Sequence, residues 1–239
     1  MSLTNKTIVI IGGSSGIGLA TASAALTNHA DVIITGRSRD RLDSAVRELG
    51  AHVRAIALDS TDEAGTRAMF NDIDHVDHIF VSAGGVTPDK ALSVDVAAMR
   101  PAIDVRLWGA IYAAKYARPR MTAGGSITFM SGTSAFRPLL GAAVGTASCA
   151  AVEGLARALA VDFAPIRVNA IRPGIIDTPL IDSFMGGENK AANVSNYTKR
   201  IPLKRMGRPE EVADAVLFLM KNEYMNGTTL VIDGAASLV

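Results

Sequence analysis

The chain has 239 residues, 49% of them hydrophobic and 20% charged, with 24 basic against 23 acidic side chains and a net charge of +1. This composition excludes a disordered tail, and near-neutral charge argues against nucleic acid or an anionic membrane as the main partner, since both demand a basic surface. The length suits one α/β domain spanning 1–239, and the lone Cys149 cannot form an internal disulfide, which fits a reducing, cytoplasmic setting.

In chain order, short Val- and Ile-rich runs at Thr7–Ile11, Val32–Thr35, Val53–Leu58, Ile79–Val81, Ser126–Met130, Arg167–Ile171 and Thr229–Ile232 read as strands buried on both faces. The first run is cut by Gly12 and Gly13, far short of the ~20 residues a membrane helix needs, so no targeting or membrane segment is expected. Helical spacing occupies Gly16–Asn28, Asp40–Leu49, Asp62–Asp72, Met99–Ala117, Val144–Asp162 and Pro209–Lys221. Gly50 is placed to end the second helix, and Pro209 with Glu210 and Glu211 to open the last. Strand and helix alternate almost throughout, which predicts a Rossmann-like, doubly wound parallel sheet with helices on both faces. The polar stretch Asp182–Arg200, with Gly186 and Gly187, interrupts this pattern and reads as a mobile substrate loop within about 175–205. His75-Val76-Asp77-His78 has metal-like letters, but its place before the fourth strand and the lack of a third ligand make it a loop-to-strand boundary.

The glycine turn Gly12-Gly13-Ser14-Ser15-Gly16-Ile17-Gly18 leaves the first strand and enters a helix. There, glycines let backbone N–H groups and the positive end of the helix approach a pyrophosphate without Cβ obstruction. Its G-x-x-x-G-x-G spacing resembles that of the short-chain dehydrogenase/reductase family. Ala83-Gly84, Arg167-Val168-Asn169-Ala170-Ile171-Arg172-Pro173-Gly174 and Gly227-Thr228-Thr229-Leu230-Val231-Ile232-Asp233-Gly234 extend the resemblance nearly end to end.

By that resemblance, Gly12, Ser14, Ser15 and Ile17 serve the pyrophosphate and adjoining ribose, and Asp59 the adenine amine. Ala83 and Gly84 line the nicotinamide ribose, and Pro173, Gly174, Ile176 and Thr178 hold the carboxamide side. At the end of the second strand, Gly36 stands where an NAD site would carry a carboxylate, and Arg37-Ser38 follow, with Arg37 suited to a 2′-phosphate. NADP(H) is therefore expected over NAD(H). The helices at 99–117 and 144–162 match those through which the family dimerises, implying a homodimer or homotetramer.

The family donates a proton from a tyrosine in Tyr-x-x-x-Lys, aided by a serine and an asparagine. Here the matching positions are Gly145 and Cys149, Gly132 thirteen residues earlier, and Arg106 in place of the asparagine. Tyr112, Lys115 and Tyr116 sit roughly 240°, 180° and 280° around the helix from Arg106 and are expected to face elsewhere. Ser131, Thr133 and Ser148 offer hydroxyls without an evident base, and no catalytic residue is assigned. Two readings stay open: an NADP(H)-dependent oxidoreductase with an atypical site acting on a small carbonyl or quinone-like compound, or an NADP(H)-binding sensor or non-catalytic subunit.

Overall fold

A computed structural model describes residues 2–50, 52–85, 93–185 and 189–239. Seven parallel strands form one sheet: β1 (Thr7–Ile11), β2 (Asp31–Gly36), β3 (Val53–Ala57), β4 (Val76–Val81), β5 (Met121–Met130), β6 (Arg167–Pro173) and β7 (Thr229–Ile232). Their spatial order is β3-β2-β1-β4-β5-β6-β7, so the order reverses between β1 and β4 and opens a crevice beyond their carboxyl ends. All seven predicted strands are present, but burial on both faces fails at the two edges of the sheet: β3 exposes Arg54, Ala55 and Ala57, and no residue of β7 is fully buried. β4 and β5 begin earlier than their apolar runs, at Val76 and Met121.

The alternation of side chains along each strand builds two cores. Val9, Ile11, Ile79, Val81, Ile127, Phe129, Val168 and Ala170 face one side, together with Phe70, Ala113, Val152 and Ala156 from the helices. Ile8, Ile10, Ile34, Phe80, Met130 and Ile171 face the other, against Ala22, Ala25, Val212 and Val216. Period-two side chains on a sheet covered on both faces require both sets to be apolar, which explains the uninterrupted Val/Ile runs.

The helices are α1 (Gly16–Thr27), α2 (Arg39–Leu49), α3 (Glu63–Asn71), α4 (Val96–Ile103), α5 (Gly109–Ala117), α6 (Ala143–Asp162), α7 (Ile181–Met185), α8 (Lys190–Thr198) and α9 (Pro209–Lys221). Capping explains several boundaries. Asp62 accepts from the Gly65 N–H at α3, and Ser38 from the Arg41 N–H at α2. At α9, Glu211 accepts from the Arg208 N–H while Pro209 fills the first turn. Gly50 ends α2 with φ +89°, a conformation that favours glycine.

Two expectations are corrected. The helical stretch Met99–Ala117 is not one helix: α4 starts at Val96, Pro101 removes one donor from its ladder, and Asp104–Trp108 widens into a π turn before α5. The stretch read as a substrate loop carries α7 and α8. Ile181 and Met185 join Ile175, Val194, Tyr197 and Met206 in a small separate core, and Asp182 pairs with Lys190. Gly186 and Gly187, which supported the loop reading, lie outside the described residues.

Candidate functional site

Three segments far apart in sequence meet beyond the carboxyl ends of β1, β4 and β6. At the glycine turn, Gly12 has φ +89°, and a Cβ there would stand 2.8 Å from the backbone nitrogen of Ala83. Gly16 has φ +54°, and its Cβ would stand 3.1 Å from Thr178 Cγ2. The segments carrying Gly12, Ala83 and Thr178 are thus brought edge to edge at distances that any side chain on the two glycines would disturb. Gly18 lets α1 settle on the turn, since a Cβ would fall 2.1 Å from the Gly12 carbonyl oxygen.

The N-terminus of α1 has no side-chain cap. Ser15 is its N-cap but makes no side-chain capping bond, and no acidic residue occupies the first turn. The first-turn N–H groups of a helix lack intrahelical partners and carry the positive end of its dipole. An uncapped helix end beside a glycine turn fits a pyrophosphate, so Gly12, Ser14, Ser15 and Ile17 suit the phosphate part of a dinucleotide.

On the flank toward β2, a Cβ at Gly36 would meet Ser14 Oγ at 2.8 Å, so a carboxylate there would force Ser14 to turn. Arg37 is exposed and makes no ion pair among the described residues, and Ser38 is taken up in capping α2. Asp59, beyond β3, is exposed and accepts from the Thr61 N–H and hydroxyl at 2.9 and 2.8 Å. At the far end, Pro173 accepts from the Thr133 hydroxyl at 3.2 Å, Gly174 rests against Asp233, and Ile176 bridges to Gly207.

The middle of the crevice differs from what the letters suggested. The Ser131 hydroxyl lies 2.7 Å from Glu153 Oε1 and 3.1 Å from the Cys149 carbonyl oxygen. Ser131 therefore has a carboxylate partner, which corrects the expectation of a hydroxyl with no base. Glu153 is in turn held by Arg172, Nε to Oε1 at 2.8 Å and Nη2 to Oε2 at 2.5 Å. This bidentate pair raises the Arg172 pKa, chiefly through the hydrogen bond to Glu153. Sequence reasoning missed it because the partners come from α6 and β6. Ser148 donates to the Gly145 carbonyl, and around Gly145 itself a Cβ would meet nothing within 4 Å.

Arg106 sits in the π turn with only 7% of its surface exposed. Its Nη1 donates to the Met130 and Ser131 carbonyls at 3.2 and 3.4 Å, and Nη2 to the Gly85 carbonyl at 3.3 Å. Lys115 and Tyr116 instead engage Glu63 on α3, and Tyr112 stacks near Trp108, so all three face away from it as expected. Asp77 is absorbed by Lys6, the Thr7 N–H and Thr122, and His78 by Ser126. Among the described residues no group of three metal-ligating side chains exists.

A doubly wound sheet with a glycine-lined, uncapped helix end at its switch point defines a nucleotide-binding α/β protein. Residues 12–236 match the family model described as enoyl-(acyl carrier protein) reductase. The chain is 33% identical to the short-chain dehydrogenase/reductase ucsE of an Acremonium species over 98% of this chain and 96% of that protein. It is 31% identical to the NADP-dependent (R)-specific alcohol dehydrogenase of Lentilactobacillus kefiri over 97% and 96%. Its fold superposes on a short-chain dehydrogenase/reductase from Brucella melitensis with a TM-score of 0.92, at 26% identity over 98% of both chains. The chain belongs to the short-chain dehydrogenase/reductase family, whose members bind nicotinamide cofactors, and it is an oxidoreductase of that type.

Proposed function

We propose that this chain is an NADP(H)-dependent oxidoreductase whose active site lacks the family's tyrosine, lysine, serine and asparagine. Its substrate class is a small acceptor that needs no proton from the protein, such as a quinone or another already activated carbonyl. The observation that carries this reading is the open space at Gly145, where a Cβ would meet nothing within 4 Å, while the Ser148 hydroxyl is taken up by the Gly145 carbonyl and the Ser131 hydroxyl by Glu153.

Loss of a positioned acid forfeits ~10²- to 10⁴-fold in rate, whereas holding cofactor and acceptor together retains the benefit of proximity. A bound nicotinamide supplies hydride; the chain's own groups hold it and leave the protonation of the product oxygen to water. Gly12, Ser14, Ser15 and Ile17 would hold the phosphates, Asp59 the adenine, Ala83 and Gly84 the nicotinamide ribose, and Pro173, Gly174, Ile176 and Thr178 the carboxamide. Preference for the 2′-phosphate is supported by Arg37, exposed and without an ion pair among the described residues, by the crowding of position 36 against Ser14, and by the NADP dependence named for the Lentilactobacillus relative.

Stopped-flow oxidation of bound NADPH against quinones, ketones and cationic imines tests this. Turnover with the activated acceptors and little with plain ketones is expected. Uniform failure to exceed the cofactor's spontaneous oxidation overturns it and leaves a non-catalytic NADP(H)-binding protein, the second reading, favoured by the joint replacement of all four residues.

A further inference from the structure

We infer that Arg106 makes the site selective for the reduced dinucleotide: its buried guanidinium disfavours the positively charged oxidised nicotinamide relative to the neutral dihydro form. The inference rests on the dinucleotide reading above and concerns which redox state is held.

Arg106 as a residue is only 7% exposed, and no carboxylate pairs with it among the described residues. Its bonds run to three neutral carbonyls, Gly85, Met130 and Ser131, while its Nε has no hydrogen-bond partner among the described residues. Carbonyl dipoles satisfy N–H groups, but they do not cancel a full charge, and a buried charge left uncancelled acts strongly on neighbouring charges. The acid nearest in the bonded network is Glu153, reached through Ser131, and both of its oxygens are occupied by Arg172. That cluster of two guanidiniums and one carboxylate carries an excess of one positive charge.

The placement is specific. Gly84 lies across the face of the guanidinium, where a Cβ would meet Nη2, Cζ and Nη1 at 3.0, 3.1 and 3.1 Å. A side chain at position 84 would therefore push the Arg106 guanidinium out of its present place. Arg106 is the buried residue of the π turn over Asp104–Trp108, and such single-turn insertions recur at functional sites. The guanidinium bonds the Gly85 and Ser131 carbonyls at once and lies against Gly84, the residue assigned above to the nicotinamide ribose. Oxidised and reduced cofactors differ there by one positive charge on the ring, so the repulsion acts on one form alone.

The test is titration calorimetry of the full chain with NADPH, NADP⁺ and 2′-phospho-ADP-ribose, which lacks nicotinamide. Unaltered protein is expected to bind NADPH at least about tenfold more tightly than NADP⁺, a ratio worth ~1.4 kcal/mol. Arg106→Gln, which keeps amide donors without the charge, is expected to reduce that ratio about tenfold, and Arg106→Lys to keep its direction. Affinity for 2′-phospho-ADP-ribose should stay unchanged in both variants, reporting an intact fold. Equal affinity of the unaltered protein for the two redox forms overturns the inference without any variant, as does a ratio that Arg106→Gln leaves unmoved. Failure of all three ligands to bind unaltered protein instead removes the dinucleotide reading itself.

Discussion

His78 and Glu153 are polar residues in the interior, and each carries a measurable consequence. His78 lies within β4 with its Nδ1 2.9 Å from Ser126 Oγ. Burial first, and the Arg167 charge second, lower its pKa from 6.5 to about 4, against an opposing pull from Asp77. The unfolded chain therefore binds a proton between pH 6.5 and 4 that the folded chain refuses. The resulting stability is whole above pH 6.5 and falls as pH drops toward 4, by about 2 kcal/mol at pH 5. Urea denaturation at pH 7 and pH 5 should record that difference, and His78→Asn should shrink it; an equal fall in the variant would assign the effect to other groups. Glu153 poses a different problem, since removing one member of a buried ion pair strands the other. Glu153→Leu should cost roughly 3–5 kcal/mol, with Glu153→Leu/Arg172→Met recovering much of it. A double variant no more stable than the single one, judged by urea midpoints, would show that the pair is not the source of the loss.

Elements were legible in the sequence wherever a local pattern settled them. The inner strands declared themselves through apolar runs because both faces of the sheet are covered there, and α9 through Pro209 and its acidic first turn. The π turn was not legible, because Arg106 and its neighbours keep helical spacing while the hydrogen-bond ladder widens beneath them. Nor were α7 and α8, whose apolar residues pack with one another and with Ile175 and Met206, outside the segment. The site divides the same way. Backbone approach at Gly12 and Gly16 was readable from glycine placement, whereas the Ser131–Glu153–Arg172 cluster depends on α6 packing against β6 and left no local trace. Two glycine substitutions separate these situations. Gly12→Ala must enter a φ of +89° with its Cβ 2.8 Å from the Ala83 backbone, and is expected to weaken dinucleotide binding at least about tenfold. Gly145→Ala lies in the first turn of α6 with open space around it, and should raise stability by a few tenths to about 1 kcal/mol through helix propensity. Thermal melts and calorimetric titration of both variants check the contrast; a Gly12→Ala protein with undiminished binding would mean the turn does not touch the ligand.

At the scale of the whole molecule, we propose that α5 and α6 pair two copies of the chain into a homodimer, or a homotetramer built from it. The inner face of α6 is committed to the sheet through Val152, Ala156 and Ala160. Its outer face carries Ala147, Ala151, Gly154, Ala158 and Val161, small apolar residues spaced alternately by four and three, with Val161 79% exposed. That spacing keeps one stripe along a helix, and small residues let a second helix come close. Beside it, Trp108, 45% exposed, stacks on Tyr112 at a centroid separation of 5.9 Å. A two-fold axis brings each stripe against its own copy, so one substitution appears twice at the contact. Ala158→Glu would then set like charges near each other in a desolvated interface, where repulsion is weakly screened. Light scattering after size exclusion should give two or four times the 25.0 kDa chain mass for unaltered protein, and a shift toward one chain mass for Ala158→Glu with its circular dichroism preserved. An unaltered protein at one chain mass, or a variant that keeps the full assembly, would place the contact elsewhere or remove it.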